Sequence, residues 1–289
     1  MGKFPKKRTI AIALTGKTAV FVRAEISGGT EVLKDLKTIA LPSAGGEGLV
    51  DSFKAALEEF PGAQDINLSI PDTMAKTSVL TFEELPRDKN ESDSLIKWKS
   101  AGSVFLKPEE CSIDYQLLTE GEKKKVLSVV VKKDIIEGYE GIFSRLGKRV
   151  TRVNIHSFDI FNLFSEKKGA KGDFSLVVRF KDYFSFLAFK DGILDFYRCK
   201  EAEDETGLFS EVLASFAFYT GRFPEARIEK VYILGADGLS AKLREALETD
   251  VESVRADEFL RAGGGVNPIS IAGADPLDLL SAVGALVVP

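Results

Sequence analysis

The chain has 289 residues, 44% of them hydrophobic and 29% charged, enough apolar material for two or three units with real cores. A net charge of −5 argues against nucleic acid as a partner, and no apolar run approaches the ~20 residues that cross a bilayer. Two cysteines and one histidine cannot furnish a zinc cage, and any Ser-His-Asp or Cys-His enzyme would have to work through His156 alone.

The N-terminus carries Lys3, Lys6, Lys7 and Arg8 but no apolar signal stretch, which predicts a cytoplasmic protein with a solubilising start and reduced Cys111 and Cys199. Contact of these four charges with anionic lipid would need a second anchor. Arg8–Leu14, Thr18–Ile26 and Glu31–Leu41 read as three strands joined at Thr15-Gly16-Lys17 and Gly28-Gly29. A helix follows over Glu47–Phe60, with Leu49, Val50, Phe53, Ala56, Leu57 and Phe60 on one stripe, stopped by Pro61-Gly62. Asp65–Ile70 is a fourth strand. This order, three strands, a helix and a strand, opens a ribonuclease-H-like unit.

Pro71-Asp72 then leads into an insertion. It contains strand Ala75–Phe82, helix Asn90–Ala101, strands Ser112–Leu118 and Lys125–Val131, and helix Lys133–Leu146 closed by Gly147. Leu95, Trp98 and Ala101 share one helix face, which predicts Trp98 in the core of the insertion. Strand Arg149–Ile155 and helix Ser157–Phe164 return to the first unit. Glu166–Gly172 reads as a domain link. Beyond it the order repeats: strands Phe174–Phe180, Phe184–Lys190 and Ile193–Cys199 with turns at Lys181-Asp182 and Asp191-Gly192, a helix over 204–221, strand Glu229–Leu234, and helices Leu239–Glu248 and Asp275–Val287. Two copies of β-β-β-α-β predict an α/β fold of the actin type. Its first domain would span 1–165 with the inserted subdomain at about 70–150. Its second would span 166–289.

Several short signals carry plainer readings. Gly16-Lys17-Thr18 matches the end of a phosphate-binding P-loop, but the motif needs a glycine where Ala11 stands and a helix where Ala19–Ile26 alternates like a strand, so it reads as a hairpin turn. Gly263-Gly264-Gly265 reads as a loop with only Arg261 as a nearby base. His156 opens an amphipathic helix with no nucleophile at a readable spacing, and reads as a capping or buried histidine. Lys123-Lys124-Lys125 reads as a solvated hairpin tip. Phe209, Phe216, Phe218, Tyr219 and Phe223 lie on or beside one helix, and fit either core packing or an exposed stripe for a partner.

Four segments resemble the PilM family of type IV pilus assembly, relatives of the GspL cytoplasmic domain of type II secretion. They are Ser69-Ile70-Pro71-Asp72 with Leu85-Pro86; Ile96–Trp98 with 105–110 and Asp114–Leu118; Val126–Gly147 with Val153–Phe164; and Val231–Leu239 with Ser281–Leu286. The resemblance implies an actin-like (ASKHA) fold of two ribonuclease-H-like units with an inserted α/β subdomain. In that family two hairpins and a glycine-rich adenosine motif hold ATP, and acids beside them hold Mg²⁺. Here the matching positions are degenerate: Thr15, Gly16 and Lys17 in the first hairpin, with Ala11 or Ala13 in place of an acid; Arg179, Phe180 and Lys181 in the second; Gly235 and Gly238 in the adenosine motif. The usual small subdomain before the long helix is absent, as in GspL.

The resemblance therefore implies no catalytic residues, no metal and no required cofactor, with ATP and Mg²⁺ disfavoured. It points to a non-catalytic scaffold of a pilus or secretion platform. Such a scaffold would bind the tail of a PilN-like or GspM-like inner-membrane protein in a groove between the first unit and the insertion. It would couple to the assembly ATPase and reach the membrane only through partners. The competing readings are an active ATPase or sugar-kinase-like phosphotransferase, and a polymerising actin homologue.

Overall fold

A computed structural model describes residues 9–27, 30–42, 46–104, 106–119, 123–169, 171–260 and 273–287. The basic start through Arg8, the Gly28-Gly29 turn, Arg261 and the Gly263–Gly265 run lie outside the described residues. In chain order the elements are β1 (Thr9–Leu14), β2 (Thr18–Ser27), β3 (Thr30–Ala40), α1 (Glu47–Leu57), β4 (Asp65–Ile70), β5 (Ala75–Phe82), α2 (Lys89–Gly102), β6 (Cys111–Leu117), β7 (Lys124–Lys132), α3 (Lys133–Arg145), β8 (Arg149–Ile155) and α4 (His156–Lys168). They continue with β9 (Phe174–Arg179), β10 (Tyr183–Lys190), β11 (Ile193–Glu201), α5 (Glu205–Arg222), β12 (Lys230–Leu234), α6 (Ser240–Leu247), β13 (Asp250–Val254) and α7 (Pro276–Gly284).

Two five-stranded sheets share one topology. The first runs β3-β2-β1-β4-β8 and the second β11-β10-β9-β12-β13. In each, three strands form an antiparallel meander and two more add in parallel on the far side of the first strand. The repeat expected from element order is thus present strand for strand. β13 escapes the sequence reading, because Asp250–Val254 is short and carries two acids among its five residues.

The described residues group into two compact units. The first draws on Met1–Pro71, Glu137–Gly169 and Arg255–Pro289, and the second on Asp72–Ile136 and Ala170–Val254. This grouping differs from a boundary at 165/166 in two ways: the insertion counts with the second sheet, and α7 packs with the first. In the first unit every residue of β1 is buried, as a central strand covered on both faces requires. Phe21, Phe53 and Phe143 meet there, Phe21 edge-on to Phe53 at 5.9 Å and Phe53 stacked on Phe143 at 5.0 Å. α3 ends where expected, at Gly147 with φ +67°, and the Lys148 N–H returns to the Phe143 carbonyl at 2.9 Å. α4 runs four residues past Phe164, so the link is shorter than expected and closes at Gly169 in the left-handed conformation.

α7 is held to the first unit by close backbone approach. A Cβ on Gly284 would lie 2.1 Å from the carbonyl oxygen of Asp159, so α4 and α7 meet where only hydrogen fits. The carbonyls at the end of α7 find donors: Asn67 Nδ2 donates to Ala285 O at 2.8 Å and an Arg152 guanidinium nitrogen to Val287 O at 2.6 Å. These satisfy groups that a helix end leaves without intrahelical partners.

In the second unit α5 and α6 cover the sheet through Phe184, Phe186, Val212, Phe216, Tyr219 and Leu243, all buried. The three-stranded sheet β5-β7-β6 carries α2 on one face, over a core of Phe82, Ile96 and Val126. Here the expectation for Trp98 fails. The helix is present, but Ile96, Ser100 and Ala101 face inward and Trp98 is 67% exposed. Ser100 explains the choice of face: its hydroxyl donates to the Ile96 carbonyl and bonds Ser128 of β7 at 2.7 Å, a polar contact that fixes the helix over the sheet's middle strand. Among the described residues no helix is long and apolar enough to cross a membrane.

Candidate functional site

The first hairpin joins β1 to β2. Thr15 Oγ1 accepts the Thr18 N–H at 2.8 Å and the Lys17 N–H at 3.2 Å, and the Thr15 N–H bonds the Thr18 carbonyl at 2.8 Å. Two of the turn's donors, the Lys17 and Thr18 N–H groups, are thereby spent on the Thr15 side chain, whereas a phosphate cradle needs them aimed outward. β2 follows directly, where a P-loop would start a helix. Nothing lies within 4 Å of a Cβ built on Gly16, and its φ is ordinary, so the backbone does not require glycine there.

The second hairpin joins β9 to β10. Phe180 N–H bonds the Tyr183 carbonyl at 2.9 Å, and the two rings stack at 4.6 Å. Arg179 donates to the Tyr183 carbonyl at 3.2 Å and the Glu203 carbonyl at 3.5 Å, while Lys181 is exposed. Val178 pairs with Leu234, so Arg179–Lys181 and the Gly235–Gly238 turn sit side by side at the carboxyl ends of β9 and β12. This is where an open α/β sheet presents ligands. Gly235 has φ +80°, the left-handed conformation that selects glycine. Glu205, the first residue of α5, places its Oε1 3.3 Å from where a Cβ on Gly238 would stand. Asp237 accepts the Ser253 hydroxyl. The structure therefore brings Arg179, Phe180, Lys181, Gly235 and Gly238 together in the second unit, beside two acids. Thr15, Gly16 and Lys17 belong to the first unit. Three residues, 202–204, carry the chain from β11 into α5, whose N-terminus Asp204 caps by accepting the Gly207 N–H at 2.7 Å.

Burial weakens His156 as a base and Cys199 as a nucleophile. His156 is buried, with hydrogen bonds to the backbone of Ser69 and Leu14, and burial lowers its pKa from 6.5 to about 3. Burial, reinforced by the negative charge of Asp72, pushes the Cys199 thiol up to about 12, far from the thiolate a nucleophile needs. Among the described residues no three His, Cys, Asp or Glu side chains gather as a metal site.

Asp72 of the Ser69–Asp72 segment has a role that sequence reasoning missed. Its buried carboxylate accepts the Tyr197 hydroxyl at 3.0 Å, and its N–H lies 3.4 Å from the Tyr183 hydroxyl. A second link joins Lys125 of β7 to Asp195 of β11, whose other oxygen accepts the Tyr219 hydroxyl at 3.0 Å. Burial and the Asp195 charge raise the Tyr219 pKa. Buried charge is retained where it is paired, and these two links tie the insertion to β10, β11 and α5. Nothing in the sequence spacing signals partners more than 60 residues apart.

The aromatic cluster divides between its two readings. Phe216 and Tyr219 are core, whereas Phe218 is 51% exposed. Phe218 packs on Phe196 of β11 at 5.6 Å, and a groove of about 470 Å³ lies between α5, residues 226–228 and the end of α6, lined by Leu213, Phe216, Ile228 and Leu247 together with Thr220, Arg227 and Thr249.

No protein-family model matches the chain, and no curated protein matches it. Its backbone does match solved structures. A chain of the PilM–PilN type IV pilus biogenesis complex superposes with a TM-score of 0.78 at 15% identity, covering 98% of each chain. A Bacteroides thetaiotaomicron protein of unknown function with an actin-like ATPase fold gives 0.55 at 13% identity, covering 97% of this chain and 99% of that one. The cytoplasmic domain of EpsL, an inner-membrane component of the Vibrio cholerae type II secretion system, gives 0.53 at 11% identity, covering 95% and 94%. The sequence resemblance to PilM thus has a structural counterpart over nearly the whole chain. With its paired five-stranded sheets of identical strand order, the chain has the actin-like ATPase fold.

Proposed function

We propose that this protein is a non-catalytic scaffold of a type IV pilus or type II secretion platform. It engages the cytoplasmic tail of a PilN-like or GspM-like membrane protein and couples that protein to the assembly ATPase. The observation that carries this reading is the full-length superposition on the PilM–PilN complex, joined by the likeness to the EpsL cytoplasmic domain. The protein works at the cytoplasmic face of the inner membrane, reaching it through these partners.

The non-catalytic part of the proposal rests on chemistry. A nucleotide site needs outward-facing donors and acids that hold Mg²⁺. Thr15 Oγ1 takes up the Lys17 and Thr18 N–H groups of the first hairpin, and Arg179 is committed to main-chain carbonyls. His156 is buried and, with its pKa lowered to about 3, only a weak base, and the Cys199 thiol, pushed up to about 12, is not the thiolate a nucleophile needs.

Two measurements test this. Isothermal calorimetry with Mg·ATP is expected to show no tight binding, and turnover is expected to stay at background. A Mg²⁺-dependent nucleotide site would instead establish the ATPase reading. Co-expression with a PilN-like or GspM-like tail, followed by pull-down, is expected to recover a complex of modest affinity, because an extended tail loses entropy on ordering. Failure with every platform tail would remove the scaffold reading.

A further inference from the structure

Two buried carboxylates of the second unit sit where the insertion meets the second sheet. Asp72 opens the insertion; its carboxylate accepts the Tyr197 hydroxyl at 3.0 Å, and that hydroxyl lies 3.3 Å from Ser185 Oγ. Asp195 pairs with Lys125 of the insertion and accepts the Tyr219 hydroxyl at 3.0 Å. Both links end on β11, two residues apart. Asp195 is the extra residue where the register of β11 against β10 slips beside Ala188 and Phe189, and such a bulge re-aims a side chain. The strands at this joint form no ladder among the described residues. β5 runs against β11, yet each is the edge strand of its own sheet. The apolar cores are separate as well: Phe82, Ile96 and Val126 form one, and Phe184, Phe186 and Phe216 belong to another.

Polar links of this kind fix a geometry better than they hold it. Docking takes Asp72 and Asp195 out of water, and parting returns them to it, so attraction and desolvation largely cancel. Parting also opens neither core and breaks no strand ladder. We propose that the insertion is a latched element, which undocks from β11 and returns as one body, the Asp72–Tyr197 and Lys125–Asp195 links acting together as its catch. The chain enters the insertion once, at Pro71-Asp72, and leaves it once, through α3. This inference does not depend on the scaffold proposal, because it concerns only the joint between the insertion and the second sheet.

Cys199 reports on the joint. It lies on β11 beside Tyr197 and Ser185, and burial together with the Asp72 charge pushes its thiol up to about 12, so a thiol reagent reacts far faster once the joint is open. Cys111, at the start of β6 on the far edge of the insertion's sheet, is the internal control. Labelling of the full chain with iodoacetamide is followed by mass spectrometry at low urea. Cys199 is expected to label through an opening that barely responds to urea, well below the concentrations that unfold the chain. Lys125→Met cuts the link that Cys199 does not belong to. It is expected to speed Cys199 labelling at least about tenfold while Cys111 labelling holds. Asp195→Asn, uncharged and of the same size, cuts the same link and is expected to act alike, which covers the case of a poorly folded Lys125→Met. The proposal is overturned if Cys199 labels only in step with global unfolding followed by circular dichroism, or if folded variants label like the parent chain. It is also overturned if both cysteines speed up equally, since the whole unit would then be loosening.

Discussion

At the scale of single residues, Gly284 makes the sharpest case. An alanine in place of a helical glycine ordinarily stabilises by about 1 kcal/mol. At Gly284 the added Cβ would meet the Asp159 carbonyl at 2.1 Å, and the obstacle is backbone, which cannot rotate aside. The clash outweighs the propensity gain, so Gly284→Ala is expected to destabilise by roughly 1–3 kcal/mol in urea unfolding. A stabilised variant would mean that α4 and α7 are not in contact. Two titrating groups in the first unit act in opposite directions. His156 stays neutral in the folded chain down to about pH 3, while the unfolded chain takes up a proton below 6.5, so its contribution is lost as pH falls through that window. Burial, and then the charge of Asp275, raises Asp278 from 3.8 to about 7. The unfolded chain releases that proton above 3.8 and the folded one keeps it, so this contribution is lost as pH rises toward 7. Each slope approaches about 1.4 kcal/mol per pH unit, and between about pH 4 and 6.5 the two oppose one another. Asp278→Asn removes one of them. Relative to the parent chain, the variant is expected to lose roughly 1–2 kcal/mol more on going from pH 6.5 to 4.5, a figure reduced because Asp278 is partly exposed. Identical pH profiles for the two proteins would show that Asp278 titrates as an ordinary carboxylate.

At the scale of elements, α2 shows what a sequence pattern conveys and what it does not. The helix itself was legible from its apolar spacing, and the structure adds a cap that the sequence reading did not use, the Asp88 carboxylate accepting the Asn90 and Glu91 N–H groups at 2.9 and 3.0 Å. Its face was legible in part: Ala101 is buried and Leu95 packs against the core as expected, but Trp98 is not, because the sheet also takes Ile96 and Ser100, secured by the Ser100–Ser128 hydrogen bond. A cross-strand partner of this kind is invisible to local periodicity. Ile96→Ala is accordingly expected to cost about 2–5 kcal/mol and Trp98→Ala less than about 0.5 kcal/mol in thermal or denaturant unfolding of the monomer. Equal costs would return Trp98 to the core. The hairpins were more legible. Asp191-Gly192 takes left-handed φ values of 53° and 76° at both positions, as the two-residue turn joining twisted strands requires. The placement of Arg179 beside Gly235 was not legible, since it arises only from the β9–β12 pairing.

At the scale of the whole molecule, the doubled β-β-β-α-β order was readable from spacing, because each sheet's central strand is a short, mostly apolar run, Thr9–Leu14 and Phe174–Arg179. What could not be read was which later segments complete which sheet. α7 lies more than 260 residues from β1, yet its apolar residues Leu277, Leu279, Leu280 and Val283 are buried in the first unit. Deleting residues 273–289 is therefore expected to collapse hydrogen-exchange protection across β1, β2 and β4 while β9, β10 and β12 keep theirs. Protection retained in β1 would show that α7 is dispensable. The same interleaving constrains how the protein is made. A ribosome delivers the whole of the second unit before it delivers α7, so the first sheet emerges early and waits with one face uncovered. During synthesis its apolar strands are an aggregation hazard of the kind that calls for chaperones, and the hazard ends only when α7 leaves the exit tunnel.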